Sequence, residues 1–301
     1  MQPTQSDLCH VPEDVFAMAV ADIGVTGLQF HQTDPDVSAH DHLNAAKSIK
    51  RAQNIERYID MKGKRILEVG SGYGTNLIAW TKMFNVDANG VEPGGVGFSN
   101  SFEISQALLK ANGIDPNRVK NAVGEALPFP DESFDLVYSA NVLEHTDNPI
   151  KVLEESFRVL KPAGILHFEM PNFLAYFEGH YYVVQPPLIW KFMLPMWVKY
   201  VFRRDPSFAR TLRTEINPIW CRRAIRSFKN KYPLELLSVG EDIFLERLVA
   251  PFVFEQETTR LKLENAVRLF QRINIGNWIG RSLTLLQAHY PIYLTVRKSD
   301  K

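Results

Sequence analysis

The sequence predicts an α/β protein centred on a doubly wound, mostly parallel sheet, and three stretches carry that prediction. Ile66–Thr75 reads ILEVGSGYGT, an apolar run that ends in an acid and then places Gly70, Gly72 and Gly74 on alternate positions. A buried parallel strand looks like this where it delivers the backbone into a tight ligand-binding turn. A second strand, Val86–Val91, ends at Glu92, twenty-two residues past Gly70. An acid there lies where a doubly wound sheet holds a ribose. The third stretch, Asp135–Met170, reads as a strand–helix–strand unit, so its strands should be parallel and its crossover right-handed.

The remaining elements follow in order. Residues up to about Ser38 read as an irregular arm, with a turn at Asp34-Pro35-Asp36 and a short helix suggested by Val15, Met18, Ala19 and Ile23. His42–Met61 carries Leu43, Ile49, Ile55 and Ile59 roughly on one helical face. Helices are expected over Asn76–Phe84 and Ile104–Ala111, the latter closed by Asn112 and Gly113, with a third strand over Val119–Val123. The fourth strand is Asp135–Ser139, the helix Pro149–Leu160 opens with its proline, and Ile165–Met170 is the fifth strand. About forty aromatic and proline-rich residues, Phe173–Arg213, come next; connections of that length are commonly lids or binding elements. Ile216–Phe228 is read as a helix opened by Asn217 and Pro218, Leu234–Val239 as a sixth strand, Thr258–Leu286 as largely helical with a break at Asn274–Gly276, and Tyr290–Val296 as a closing strand.

Bulk properties narrow the function. The 301 residues are 45% hydrophobic and formally neutral, with a pI near 7, so no global field attracts nucleic acid. Charge is nevertheless uneven: Lys191–Lys231 holds eleven Lys and Arg against Asp205 and Glu215. Cys9 and Cys221 are far apart and lack metal-ligand spacing, which argues for a reducing compartment and against zinc or disulfide chemistry. No metal site is expected. The N-terminus lacks the basic start and apolar stretch of a signal peptide, and Val183–Val198 is too short and too broken by Pro186, Pro187, Lys191 and Pro195 to span a bilayer. A cytoplasmic protein is expected.

The glycine spacing discriminates between ligands. A dinucleotide site requires G-x-G-x-x-G and a pyrophosphate at a helix N-terminus, whereas here the pattern is G-x-G-x-G, with Glu68 two residues ahead where a pyrophosphate would be repelled. A ligand carrying an ammonium and a sulfonium suits that charge. A strand followed by E-x-G-x-G-x-G resembles the first motif of class I methyltransferases that use S-adenosylmethionine. Glu125–Asn172, with its ALPFPDESFD loop, its VLEH turn after the fourth strand and its RVLKPAG helix exit, is similar to the type 11, ubiE-like branch of that family. The likeness covers Asn44–Asn172 well and the rest loosely.

That resemblance implies a Rossmann-like sheet of seven strands with the last one antiparallel at the edge, and a helical cap inserted after the fifth strand. It divides the chain into an arm (1–42), a cofactor core (43–172), an aromatic and basic cap with its helix (173–232), and a C-terminal part of the core (233–301). Glu68, Gly70, Ser71, Gly72, Gly74, Glu92 and Pro93 would hold the methionine and ribose parts. Glu125, Ala126, Asn141 and Val142 would lie near the purine or thioether. Two departures stand out. Ala163 replaces a glycine, and Val123 stands four residues before Leu127-Pro128, where the branch has an acid for the adenine amino group. Either Glu125 substitutes for that acid, or backbone groups such as the Ala126 N–H hold the purine.

Acceptor chemistry is less legible. His180, in EGHYY at the start of the insert, is the leading candidate base, since an ordinary histidine pKa suits proton abstraction near neutrality. His145 of the VLEH turn either packs and caps or lines the acceptor site; His167 reads as a core histidine; and His40 and His42 mark a surface helix start. The aromatics Trp190–Val198 either bury against a neighbouring helix or form an interfacial helix, with Lys191, Lys199, Arg203 and Arg204 at headgroup level. The second reading implies peripheral contact with the inner face of a membrane and a lipid-linked or phosphate-bearing acceptor. The order GHYY, RRDPSF and INPIW also resembles bacterial methyltransferases of cell-surface glycan pathways. Expected, therefore, is O-methylation of a glycan or lipid-linked glycan precursor. The rivals are methylation of a small quinone or phenol, and a non-catalytic S-adenosylmethionine-binding protein.

Overall fold

A computed structural model describes residues 5–30, 34–95, 99–181, 183–186, 193–249 and 276–300. The arm is more helical than its sequence suggested. After α1 (Gln5–Leu8), α2 spans Glu13–Phe30 and α3 spans Pro35–His42, the latter opened by the Asp34 carboxylate, which accepts from the Asp36 N–H. Val15, Ala19 and Ile23 are buried, forming one apolar row at helical spacing where α2 lies against α3 and the later helix Ser101–Ala111. The expected helix from His42 to Met61 is broken. Asn44 accepts the Ala46 N–H through its side chain, a local turn that competes with helix continuation, and α4 runs only over Ala46–Ile55.

From there the chain alternates: β1 (Arg65–Val69), α5 (Thr75–Phe84), β2 (Asp87–Val91), α6 (Ser101–Ala111), β3 (Val119–Lys120), β4 (Phe134–Ala140), α7 (Pro149–Val159) and β5 (Leu160–Met170). The third strand is shorter than expected because β2 offers only Gly90 and Val91 to pair with it. The insert contributes a small hairpin, β6 (Phe177–Glu178) with β7 (Val183–Val184), then α8 (Met193–Tyr200), α9 (Ser207–Thr211) and α10 (Pro218–Phe228). The chain then adds β8 (Leu234–Ser238), α11 (Glu241–Val249), α12 (Gly276–Leu285) and β9 (Ile292–Lys298). Of the helical stretch expected over Thr258–Leu286, residues 258–275 lie outside the described residues, as do Trp190 and Lys191.

The seven-stranded sheet has the order β3-β2-β1-β4-β5-β9-β8, parallel except that β9 runs antiparallel to both its neighbours. The last strand is therefore antiparallel as expected but sits one place in from the edge. Burial explains the exchange: six of the seven β9 residues are buried, whereas β8 has only Leu234 buried and tolerates the solvent edge.

Side chains alternate across the strands. Leu67, Val137, Phe168 and Leu294 pack with α7, α8 and α10 on one face, and Ile66, Leu136 and Tyr138 with α2, α4, α5 and α6 on the other. His167 is buried there, its Nδ1 2.9 Å from Thr295 Oγ1, and burial pushes its pKa down to about 4, which makes it the neutral core histidine expected. Asn148 caps α7 by accepting the Lys151 N–H, and the buried Lys298 ammonium donates to the carbonyls of Phe157 and Leu160 at its far end. A cation at a helix C-terminus complements the helix dipole. This packing fixes the carboxyl ends of β1, β2 and β4 beside one another.

Candidate active site

The elbow after β1 is built by close approach. Gly70 adopts φ +70°, and a Cβ there would stand 2.3 Å from a Val142 methyl, so the Val142 side chain after β4 can pack on the elbow after β1 only because this residue has no side chain. At Gly74 (φ +81°) a Cβ would meet Leu109 at 2.7 Å. Gly72 differs: φ is +53°, yet among the described residues nothing lies within 4 Å of where its Cβ would be. That open side is where a ligand can approach the main chain. The Gly70 and Ser71 N–H groups both donate to Val91 O, which ties the elbow to the end of β2. Ser71 is buried, with no hydrogen-bond partner for its Oγ among the described residues.

Three carboxylates surround this opening. Glu68 is 2% exposed; one oxygen accepts from Asn76 Nδ2 at 2.6 Å and the other has no hydrogen-bond partner among the described residues. Burial pushes its pKa up to about 8, against the opposing pull of Asn76 and Arg51. Glu92 accepts the Gly72 N–H at 2.8 Å, and burial raises it to about 7 with Asp22 adding to the rise. Asp22, on α2, accepts from Tyr73 Oη at 2.9 Å and from the Asn100 N–H at 2.7 Å. Burial and the adjacent Asp22 keep the Tyr73 phenol well above its ordinary range. Asp22 and Tyr73 are absent from the sequence reading; the one signal was an acid inside the apolar row AVADIGV.

On the purine side the expectations meet other partners. Ala126 N–H is spent on Val123 O at 3.2 Å, which leaves it no proton for a purine, and Val123 is 39% exposed. Glu125 accepts the Asn148 N–H at the start of α7. Pro93 follows Glu92 into the loop, half-buried. Asn141 has φ +53° and donates its N–H to Glu169 O, while Val142 closes on Gly70.

Beyond Val142 a 3-10 turn, Leu143–His145, brings His145 to His180, with their Nε2 atoms 3.1 Å apart. His180 sits in the β6–β7 hairpin turn and holds Glu178 Oε1 through Nδ1 at 2.6 Å. Burial alone would lower its pKa, but Glu144 and Glu178 reverse that and raise it to about 10. A histidine so held keeps its proton near neutrality, which opposes its expected use as a free base. His145 is pushed down by desolvation, although about a third of its side chain remains accessible.

With this geometry in view, comparison with known proteins is decisive. Residues 67–168 match the family profile described as a methyltransferase domain, and a demethylmenaquinone methyltransferase from Geobacillus kaustophilus is 25% identical over 234 residues, 74% of this chain and 92% of the relative. The chain is a class I S-adenosylmethionine-dependent methyltransferase. Solved structures share the fold: a candidate sarcosine dimethylglycine methyltransferase from Galdieria sulphuraria superposes with a TM-score of 0.53 at 17% identity, covering 98% of this chain and 99% of that one. Haemonchus contortus phosphoethanolamine N-methyltransferase 2, solved with phosphomonomethylethanolamine and S-adenosylhomocysteine, gives 0.51 at 18% identity, covering 84% and 53%.

The cradle of this methyltransferase fits its cofactor. A buried carboxylate oxygen without a donor, the open side of Gly72 and three acids around one elbow all favour a cationic nucleoside over a pyrophosphate. Because Glu68 and Glu92 hold protons up to about 8 and 7, they attract a cation fully only above those values. Binding of S-adenosylmethionine should therefore tighten as pH rises from about 6 to about 9 and then level off, with protons released on binding. Calorimetry in buffers of different ionisation enthalpy checks this; a pH-independent Kd with buffer-independent heat would place both acids out of reach of the ligand.

Proposed function

We propose that this methyltransferase modifies an acceptor carried on a hydrophobic chain, with an oxygen of a lipid-linked glycan precursor as the first reading. The observation that supports it is α8. Leu194 and Val198 are buried, while Met193, Met196 and Tyr200, with Val201 just beyond, stand 42%, 54%, 68% and 52% exposed. Val184 of the hairpin is 60% exposed, and Trp197 donates to its carbonyl, so the two apolar segments adjoin. Lys199 and Arg203 are exposed beside this strip. An apolar row with a cationic rim suits a membrane interface or an amphiphile. No described helix is long and apolar enough to cross a membrane, so the contact proposed is peripheral.

S-adenosylmethionine, when bound, supplies an electrophilic methyl group and so carries the hard chemistry. The chain's own residues supply placement. Glu68, Gly72 and Glu92 hold the cationic nucleoside, Val142 fixes the elbow against β4, and His145 and His180 face the acceptor side. The insert keeps water away from the transfer. A second reading, a quinone acceptor, draws support from the relatives that act as demethylmenaquinone methyltransferases.

The experiment incubates purified protein and methyl-labelled cofactor with fractionated lipid, glycan and small-metabolite pools. Label is expected in the lipid-linked, sugar-bearing fraction. Label in a lipid quinone fraction would replace the first reading with the second, and label confined to water-soluble metabolites would sink both.

A further inference from the structure

Glu144 has no part in the cofactor cradle, yet it is the most confined acid near it. It is fully buried within the Leu143–His145 turn, and neither carboxylate oxygen has a hydrogen-bond partner among the described residues. A carboxylate shut away from water without donors is costly unless positive charge is brought to it. Two ring nitrogens face it, His180 Nε2 at 3.6 Å and His145 Nε2 at 3.8 Å, themselves 3.1 Å apart. The circle through these three atoms has a radius of about 2.0 Å, the length of a bond from a first-row divalent ion to imidazole nitrogen or carboxylate oxygen. All three donors thus already stand around one point.

A second feature indicates the same occupant. Glu178 takes the His180 Nδ1 side at 2.6 Å with one oxygen and the Tyr181 N–H at 2.7 Å with the other. With Nδ1–H committed to that carboxylate, Nε2 is the nitrogen that would give up its proton to a metal, and its lone pair would then be directed at the gap shared with His145 and Glu144. A carboxylate behind a histidine is how metal-ligating rings are commonly oriented. His145 and His180 lie thirty-five positions apart in the chain, which is why spacing alone concealed the set.

We propose that Glu144, His145 and His180 bind one divalent transition-metal cation of the Zn²⁺ or Mn²⁺ type, with Glu178 as the residue that positions His180. Two nitrogens and one carboxylate leave open positions on the ion. His145 follows Val142 by three residues, and Val142 lies against Gly70, so the open positions fall on the acceptor side of the elbow. An acceptor oxygen placed there would lose its proton to solvent more readily, its charge being balanced by the cation. This use of the ion rests on the methyl-transfer reading; the binding itself does not.

The test uses the full chain stripped with a chelator and titrated with Mn²⁺, followed by electron paramagnetic resonance, and with Zn²⁺, followed by calorimetry. One equivalent should bind saturably. Glu144→Gln and the more exposed His145→Ala should each weaken binding by more than tenfold, and Glu178→Gln by roughly 10- to 100-fold. S-adenosylhomocysteine affinity, measured on the same samples, should stay unchanged in His145→Ala and so report an intact fold. Absence of saturable uptake up to about 1 mM, or uptake untouched by both ligand variants, would overturn the site and leave Glu144 as the partner of a protonated His180. Intact metal binding with no label transferred to any acceptor pool would instead count against the proposed acceptor and leave the metal site standing.

Discussion

Glu92→Ala is expected to raise the Kd for S-adenosylmethionine by about 10- to 150-fold, the range for losing a hydrogen bond to a charged group, while leaving the fold intact. The carboxylate projects from the end of β2 towards Gly72 and accepts that residue's N–H. Its pKa is pushed up to about 7 mainly by burial, so the unliganded protein gains little from keeping it there. Removing it should change the unfolding free energy by no more than about 1 kcal/mol. Titration calorimetry beside thermal unfolding separates the two effects. A variant that binds normally would remove Glu92 from the cofactor site, and one that melts far below the parent would make it a structural acid.

Gly70→Ala should do the opposite and strike the fold first. The left-handed backbone costs a residue with a Cβ about 1–2 kcal/mol, and the added carbon meets Val142 at 2.3 Å, which adds an overpacking cost of about 1–3 kcal/mol. Val142 has little room to yield, lying between Asn141 at φ +53° and the 3-10 turn. A fall in Tm of roughly 5–15 °C is expected. Gly72→Ala is the informative companion, because nothing lies within 4 Å of its added methyl. It carries the same left-handed backbone cost at φ +53° but not the overpacking, so it should lose cofactor affinity with a smaller fall in Tm. Unchanged cofactor affinity in Gly72→Ala would show that the open side of Gly72 is not ligand space.

The contrast between these two glycines also marks the limit of what spacing conveys. The pattern E-x-G-x-G-x-G announces that three positions need freedom from a side chain, but not that Gly70 faces Val142, Gly74 faces Leu109 and Gly72 faces open space. Those differences arise from segments thirty-five to seventy-two residues away. The expected helix from His42 failed in a similar manner, at a side-chain turn on Asn44 that hydrophobic periodicity does not register. At Ala126 the N–H was a candidate for the purine, and a three-residue turn to Val123 O consumes it.

By itself the sequence determined the strand–elbow–helix at Ile66–Phe84, the acid after the second strand, the strand–helix–strand unit from Asp135 to Met170 and the acidic character that favours a cationic nucleoside. Each is written in contiguous residues, where apolar periodicity, glycine spacing and capping side chains act locally. Tertiary structure alone decided that β9 lies between β5 and β8, that Asp22 reaches Tyr73, and that Glu144, His145 and His180 converge on one point with Glu178 behind His180. Those arrangements depend on which buried faces meet, and a pairing across thirty-five or fifty-one positions leaves no period in the chain for the sequence to display.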